Sequence, residues 1–177
     1  INTLNDLKYS GDKIIKIEGI LSGTLSYIFN SFKEGVPFSQ VVTEARSKGL
    51  TEPDPRDDLN GMDVARKILI LGREAGQKLD IKDVKLEPIL SDACFKAPNI
   101  DSFFEELKKE DGRLEAMRKK AMDEGKKLRF IAKVEEGKAS ISLQAVDAEH
   151  PFYSLSGSDN IISFTTQRYF ERPLVVK

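Results

Sequence analysis

The chain has 177 residues, 40% hydrophobic and 32% charged, a balance that fits one well-filled globular domain and excludes a disordered or fibrous polymer. Its 28 basic and 29 acidic residues leave a net charge of −1, so no basic footprint points to nucleic acid or to an anionic membrane surface. Cys94 is the single cysteine and His150 the single histidine; an internal disulfide is ruled out, a reducing compartment is compatible, and the thiol reads as buried rather than nucleophilic.

In chain order, Lys13 to Leu21 (KIIKIEGIL) partly alternates and is rich in β-branched residues, which predicts a strand. Ser22 offers an N-cap for a helix whose Leu25, Ile28, Phe29 and Phe32 share one face before Gly35. A second helix is expected from about Phe38 to Lys48, with Val41, Val42 and Ala45 inward and Gly49 as its stop. Leu50 to Pro53 should be extended, because a residue before proline is pushed away from helical geometry. Asp54-Pro55 then opens a short turn, and Asn60 caps a longer helix to about Ala75 with Val64, Ile68, Leu71 and Ala75 as its stripe and Gly76 as its end. A short strand is expected near Val84 to Glu87. Asp101 starts a helix (SFFEELKK), and Arg113 to Glu124 forms a further, highly charged one.

From Lys127 the period changes from helical to alternating. KLRFIAKV, EEGK and ASISLQAV read as a β-hairpin, and NIISFTTQRY and PLVVK as two more strands. Helices first and strands later, with one early strand, predict an α+β fold: a mixed, largely antiparallel sheet covered by helices. No run approaches the ~18 apolar residues of a membrane span, and no secretory signal is visible. Gly19-x-x-x-Gly23 follows a strand but lacks the further glycine and lysine of a dinucleotide or Walker loop.

The segment EPDPRDDLNGMDVARK, residues 52 to 67, gathers five carboxylates and three basic side chains in sixteen positions. Asp63 and Lys67 are four apart on the predicted helix, acid before base, which puts them in contact on one face. That pair alone is equally well an exposed surface ion pair. Glu52, Asp57 and Asp58 crowd the entry to the same helix, where free amides and the helix dipole favour carboxylates. Carboxylates bind an ammonium group and a lysine can polarise or protonate an oxygen, so a site of both signs suits an amino-acid substrate with a reactive oxygen. The same acids could instead hold Mg²⁺, although the nearby cations compete for them.

GILSGTLSYIFN (residues 19 to 30) followed by GLTEPDPRDDLNGMDVARK (49 to 67) closely resembles the catalytic region of homoserine dehydrogenase, and HPFYSLSGSDNIISFTTQRY (150 to 169) resembles the forms fused to aspartate kinase. The resemblance spans nearly the whole chain. It implies NAD(P)-dependent interconversion of aspartate 4-semialdehyde and homoserine, on a fold like the C-terminal domain of glyceraldehyde-3-phosphate dehydrogenase. By the same resemblance Glu52 and Asp58 grip the substrate ammonium, and Asp63 and Lys67 line the reacting end, where Lys67 meets the developing alkoxide. Thr24 lies beside the substrate, Gly23 is placed at the cofactor, and no residue is assigned to a metal. Leu50 stands where the family often has a tyrosine that contacts the substrate through its main chain.

In that family a nucleotide-binding Rossmann domain precedes this region, carrying another catalytic lysine and much of a monovalent-cation site. A chain that opens on Ile1 and spans only the later region is therefore expected to be the substrate-binding and dimerisation domain over 1–177, inactive alone and forming a homodimer through its sheet. Its expected compartment is the cytoplasm, or the plastid in a plant. Two rival readings remain: a dimerisation or regulatory binding module, and a metal-dependent enzyme built on the acidic cluster.

Overall fold

The computed structural model describes residues 1–177 and begins with a helix that periodicity does not announce. Helix α1 (Asn2–Tyr9) buries only Leu4 and Leu7, a stripe too short to read against the background. Its Lys8 ammonium donates to the Glu74 carbonyl and lies 3.5 Å from Glu74 Oε1, tying the chain start to the far end of a later helix. Strand β1 (Ile14–Ile20) and helix α2 (Gly23–Ser31) follow as expected, and the Ser22 hydroxyl accepts from the Leu25 N–H at 3.2 Å. Helix α2 stops at Ser31, short of Gly35, as Phe32 turns extended and sets its ring edge-on against Phe38, centroids 5.2 Å apart.

Helix α3 (Phe38–Ser47) buries Val41, Val42 and Ala45 and ends before Gly49 at φ 69°. Helix α4 (Arg56–Leu59) is one short turn, and helix α5 (Met62–Glu74) buries Val64, Ile68 and Leu71. Asn60 Oδ1 does accept from the Met62 N–H at 2.9 Å, but the cap position itself belongs to Gly61, held at φ 71°. A side chain there would be strained by the left-handed backbone, and its Cβ would meet Leu86 and Phe130 at 3.0 and 3.2 Å.

A 3-10 turn (Ile81–Asp83) leads into strand β2 (Val84–Leu86), and helix α6 (Asp92–Lys96) precedes helix α7 (Ile100–Asp123). Here the sequence expectation of two helices is corrected to one. Phe103, Leu107, Leu114 and Ala121 keep to a single buried face across Gly112, so packing carries the helix through its weakest residue. The N-cap is Asn99, whose side chain accepts from the Ser102 N–H, rather than Asp101. Strands β3 (Lys127–Glu135) and β4 (Lys138–Val146) form the expected hairpin about Glu136 and Gly137, both at positive φ. Strands β5 (Ile161–Thr166) and β6 (Leu174–Val176) complete the chain.

The sheet order is β2-β4-β3-β1-β5-β6, antiparallel throughout except for the parallel β2–β4 pair. One face carries Ile17, Leu128, Phe130, Ala132, Val134 and Phe164 into a core shared with the helices. The opposite face is covered at one end by residues 147–160, which bury Phe152 and Leu155 against Ile20, Ile131 and Ile161. Beyond that cover the face is polar. Lys16 and Glu18 pair at 2.8 Å and stand opposite Glu135 and Lys133 across the β1–β3 ladder. An α+β fold with a mixed, mainly antiparallel sheet is what the order of helical and alternating segments predicts.

Candidate active site

The end of β1 and the four segments that follow it bring the predicted residues to one part of the surface. Thr24 lies in the first turn of α2, and its hydroxyl donates to the Leu50 carbonyl at 2.7 Å. That bond fixes the stretch leaving α3 by its main chain, so the identity of the Leu50 side chain, on the rim, matters little to it. Two residues on, the Glu52 N–H donates to Asp58 Oδ2 at 2.8 Å, while the exposed Glu52 carboxylate has no partner. Asp58 sits on α4. Burial pushes its carboxyl above the ordinary value of 3.8, against the opposing pull of the Glu52 N–H and the nearby Thr24 hydroxyl, and Glu52 and Asp57 add repulsion in the same upward direction. Asp54 is engaged elsewhere, in a bidentate contact with Arg56 whose closest distance is 2.6 Å.

Asp63 and Lys67 meet on α5 at 2.8 Å, as their spacing predicts, with side chains 59% and 46% exposed. At that exposure the pair contributes about 0.3–0.5 kcal/mol to the helix, as any exposed pair at this spacing would. Lys67 has a second partner that the sequence does not show: its ammonium donates to the Leu21 carbonyl at 3.0 Å, where β1 ends. The lysine is thereby held at the junction of β1 and α2, beside a hollow of about 340 Å³ lined by Ile1, Leu21, Ile70, Leu71, Asn160 and Ile162. Glu52 borders a different opening, a groove of about 1090 Å³ between α3 and α7. The ammonium grip and the reacting pair thus share one open surface rather than one closed cavity.

Gly23 occupies the first position of α2. A Cβ there would stand 3.0 Å from the Ser158 carbonyl, so the nearest group to it is the chain's own 157–158 backbone. Ser26 and Asn30 hold the same segment, donating to the Gly157 carbonyl at 3.3 and 3.0 Å. These contacts, and Asn160 beside Lys67, escaped sequence reading because long-range main-chain approach leaves no periodic signature. Among the acids, no group of three His, Cys, Asp or Glu side chains lies close enough to hold a metal ion. Cys94 is fully buried and its thiol is pushed up by desolvation, as an inert core thiol should be. No helix is long and apolar enough to cross a membrane.

Comparison with known proteins bears on the family of the chain. The family model described as homoserine dehydrogenase matches residues 1–177. A bifunctional aspartokinase/homoserine dehydrogenase of Arabidopsis thaliana, a chloroplastic protein, is 48% identical over all of this chain and 20% of its own length. The homoserine dehydrogenase of Schizosaccharomyces pombe is also 48% identical, over 99% of this chain and 49% of its own. Among solved structures, a Candida auris protein described as of unknown function superposes with a TM-score of 0.91 at 41% identity, over 98% of this chain and 50% of its own. The chain therefore spans between a fifth and a half of the curated relatives it matches. From motif, fold and comparison together, it belongs to the homoserine dehydrogenase family.

Proposed function

We propose that residues 1–177 are the substrate-binding and dimerisation domain of an NAD(P)-dependent homoserine dehydrogenase, interconverting L-aspartate 4-semialdehyde and L-homoserine in threonine and methionine biosynthesis. The observation that carries this reading is the pairing of an ammonium grip, Glu52 and Asp58, with a lysine fixed at a strand end, Lys67, on one surface. The free Glu52 carboxylate and the half-buried Asp58 take the substrate ammonium. Asp58 gains most, since an arriving cation favours the charged form that burial opposes. Lys67, oriented by the Leu21 carbonyl and Asp63, points a charge at the oxygen on which negative charge develops. Thr24 holds the Leu50 carbonyl, and with it the Leu50–Glu52 main chain, in place.

The residues present fit the reacting end of a nicotinamide cofactor and little more of it. The hollow beside Lys67 has apolar walls from Leu21, Ile70 and Ile162, and Gly23 offers main chain at the start of α2. No glycine-rich phosphate turn occurs in the sequence, so NAD or NADP would be held mainly by a Rossmann domain elsewhere in a longer parent, which would also carry any monovalent cation. When bound, the nicotinamide gives or takes the hydride. The polar sheet face and the open β6 edge, where Val175 and Val176 are exposed, support a homodimer through the sheet. The compartment is that of the parent: cytoplasm, or plastid in a plant.

Thermal-shift titration separates this reading from its rivals. L-Homoserine is expected to raise the melting temperature of the chain, and Mg²⁺ to leave it unchanged. Stabilisation by Mg²⁺ alone would point to a metal-dependent enzyme, and by neither to an assembly module.

A further inference from the structure

Arg129, on β3, is a charged residue that the site as described does not use. Its side chain is 4% exposed, and no carboxylate lies within ion-pair distance. Its guanidinium instead donates to main-chain carbonyls: Nε to Phe152 at 3.0 Å, Nη2 to Tyr153 and Leu155 at 3.0 and 3.1 Å, and Nη1 to the neighbouring Leu128 at 3.1 Å. Three carbonyls from four consecutive residues thus converge on one buried fork. A buried charge without a counter-ion is costly unless every donor is satisfied, and a planar five-donor group is what holds several fixed acceptors at once. Around it the segment from 147 to 160 has no helix or strand of its own, a length at which an ordered loop usually has a task.

Beyond the clamp the segment runs directly to the reacting end. Gly157 lies on Ser26 and Asn30, the Ser158 carbonyl closes on Gly23, and Asn160 lines the hollow beside Lys67. The 157–160 stretch is held by these contacts with α2, by the Asp159–Lys177 pair at 3.1 Å and by its continuation into β5, and the clamp sets the path by which the chain enters it. We infer that Arg129 is a positioning residue: through the carbonyls of Phe152, Tyr153 and Leu155 it sets the wall that Ser158 and Asn160 form against Gly23 and Lys67. The inference rests on the homoserine dehydrogenase reading of that surface. None of the clamp's hydrogen bonds involves the ammonium grip, Glu52 and Asp58.

The test uses the full-length parent enzyme with Arg129→Met, which keeps the apolar stem, and Arg129→Lys, which keeps the charge and loses the fork. In Arg129→Met kcat is expected to fall ~10-fold or more, as a misplaced wall beside the reacting atoms would cause. The KM for homoserine should stay within about twofold, and Arg129→Lys should recover part of the loss. Amide hydrogen exchange should quicken over residues 152–160 while α5 keeps its protection. Should Arg129→Met not fold, Arg129→Lys carries the same kcat and exchange readouts. An unchanged kcat in a folded variant overturns the inference, as does a parallel loss of kcat, KM and protection across the whole domain. Wild-type parent without turnover on homoserine would instead overturn the functional reading on which it stands.

Discussion

At the scale of single residues, Lys67 and Asp58 do different things to a reaction, and their variants should separate. On the proposed reading Lys67 acts on charge that exists mainly in the transition state, so Lys67→Ala in the parent should lower kcat by ~10²-fold or more with a smaller rise in KM. Glu52→Ala would remove the proposed ammonium contact, which is present in the ground state as well, and should appear largely in KM. Steady-state kinetics of the two variants decides the matter, and an unchanged kcat in folded Lys67→Ala would leave only an exposed ion pair. For Asp58 the sign runs through stability. Its folded pKa lies above the unfolded value of about 3.8, so ionisation above that range costs the folded state some stability, and the cost fades as pH falls back through it. Asp58→Asn keeps an acceptor for the Glu52 N–H and should melt at a higher temperature at pH 7, with the gain shrinking towards pH 4, while KM for homoserine rises. A lower melting temperature at pH 7 would show that the carboxylate is stabilising after all.

At the scale of elements, α7 tests how far packing overrides propensity. Gly112 is exposed at its middle, has ordinary helical φ, and a Cβ there would meet nothing within 4 Å. Gly112→Ala should therefore stabilise the chain by about 0.5–1 kcal/mol in urea unfolding; a loss would mean that the helix needs a kink there. The same glycine explains why α7 reads as two helices in sequence, since a breaker and a run of charges mask a stripe that only the core reveals. Most other elements were legible because their signals are local: Ser22 as cap, Gly49 and Gly76 as stops, the hairpin turn at Glu136-Gly137. The acidic segment was legible for a different reason, the i,i+4 spacing of Asp63 and Lys67 and the length of the shared motif. Helix α1 was not, because its buried stripe is only Leu4 and Leu7, and neither were the carbonyl partner of Lys67 and the clamp at Arg129, because each depends on residues tens of positions apart.

For the whole molecule, the surface that carries the site is open, with the grip and the lysine facing two separate hollows. A hydride transfer needs a site from which water is excluded and in which the cofactor is held. The isolated chain should accordingly show no measurable homoserine oxidation with NAD or NADP; turnover near one per second or above, ordinary for an enzyme, would mean that residues 1–177 suffice. Sedimentation of the same material at roughly tens of micromolar should show a dimer, since an open strand edge and an uncovered sheet face invite a second copy. A monomer alone at that concentration would reassign the uncovered face.

The left-handed turn at Gly61, wedged against Phe130 and Leu86, makes the surface a gauge of length. Asp58 stands before this joint and Lys67 after it, on helices whose mutual placement one fixed backbone angle sets; a single residue inserted there would swing α5 by ~100° about its axis. If the proposed grip and lysine hold the two ends of the substrate, the stretch between anchored nitrogen and reacting oxygen is decided by protein backbone rather than by a pocket wall. Serine, one carbon shorter than homoserine, could satisfy the grip or reach the lysine but not both. The difference of one methylene is worth about 1–3 kcal/mol, so kcat/KM of the parent for serine should lie at least ~10-fold below that for homoserine, and a residue inserted after Asn60 should erase the preference along with the rate.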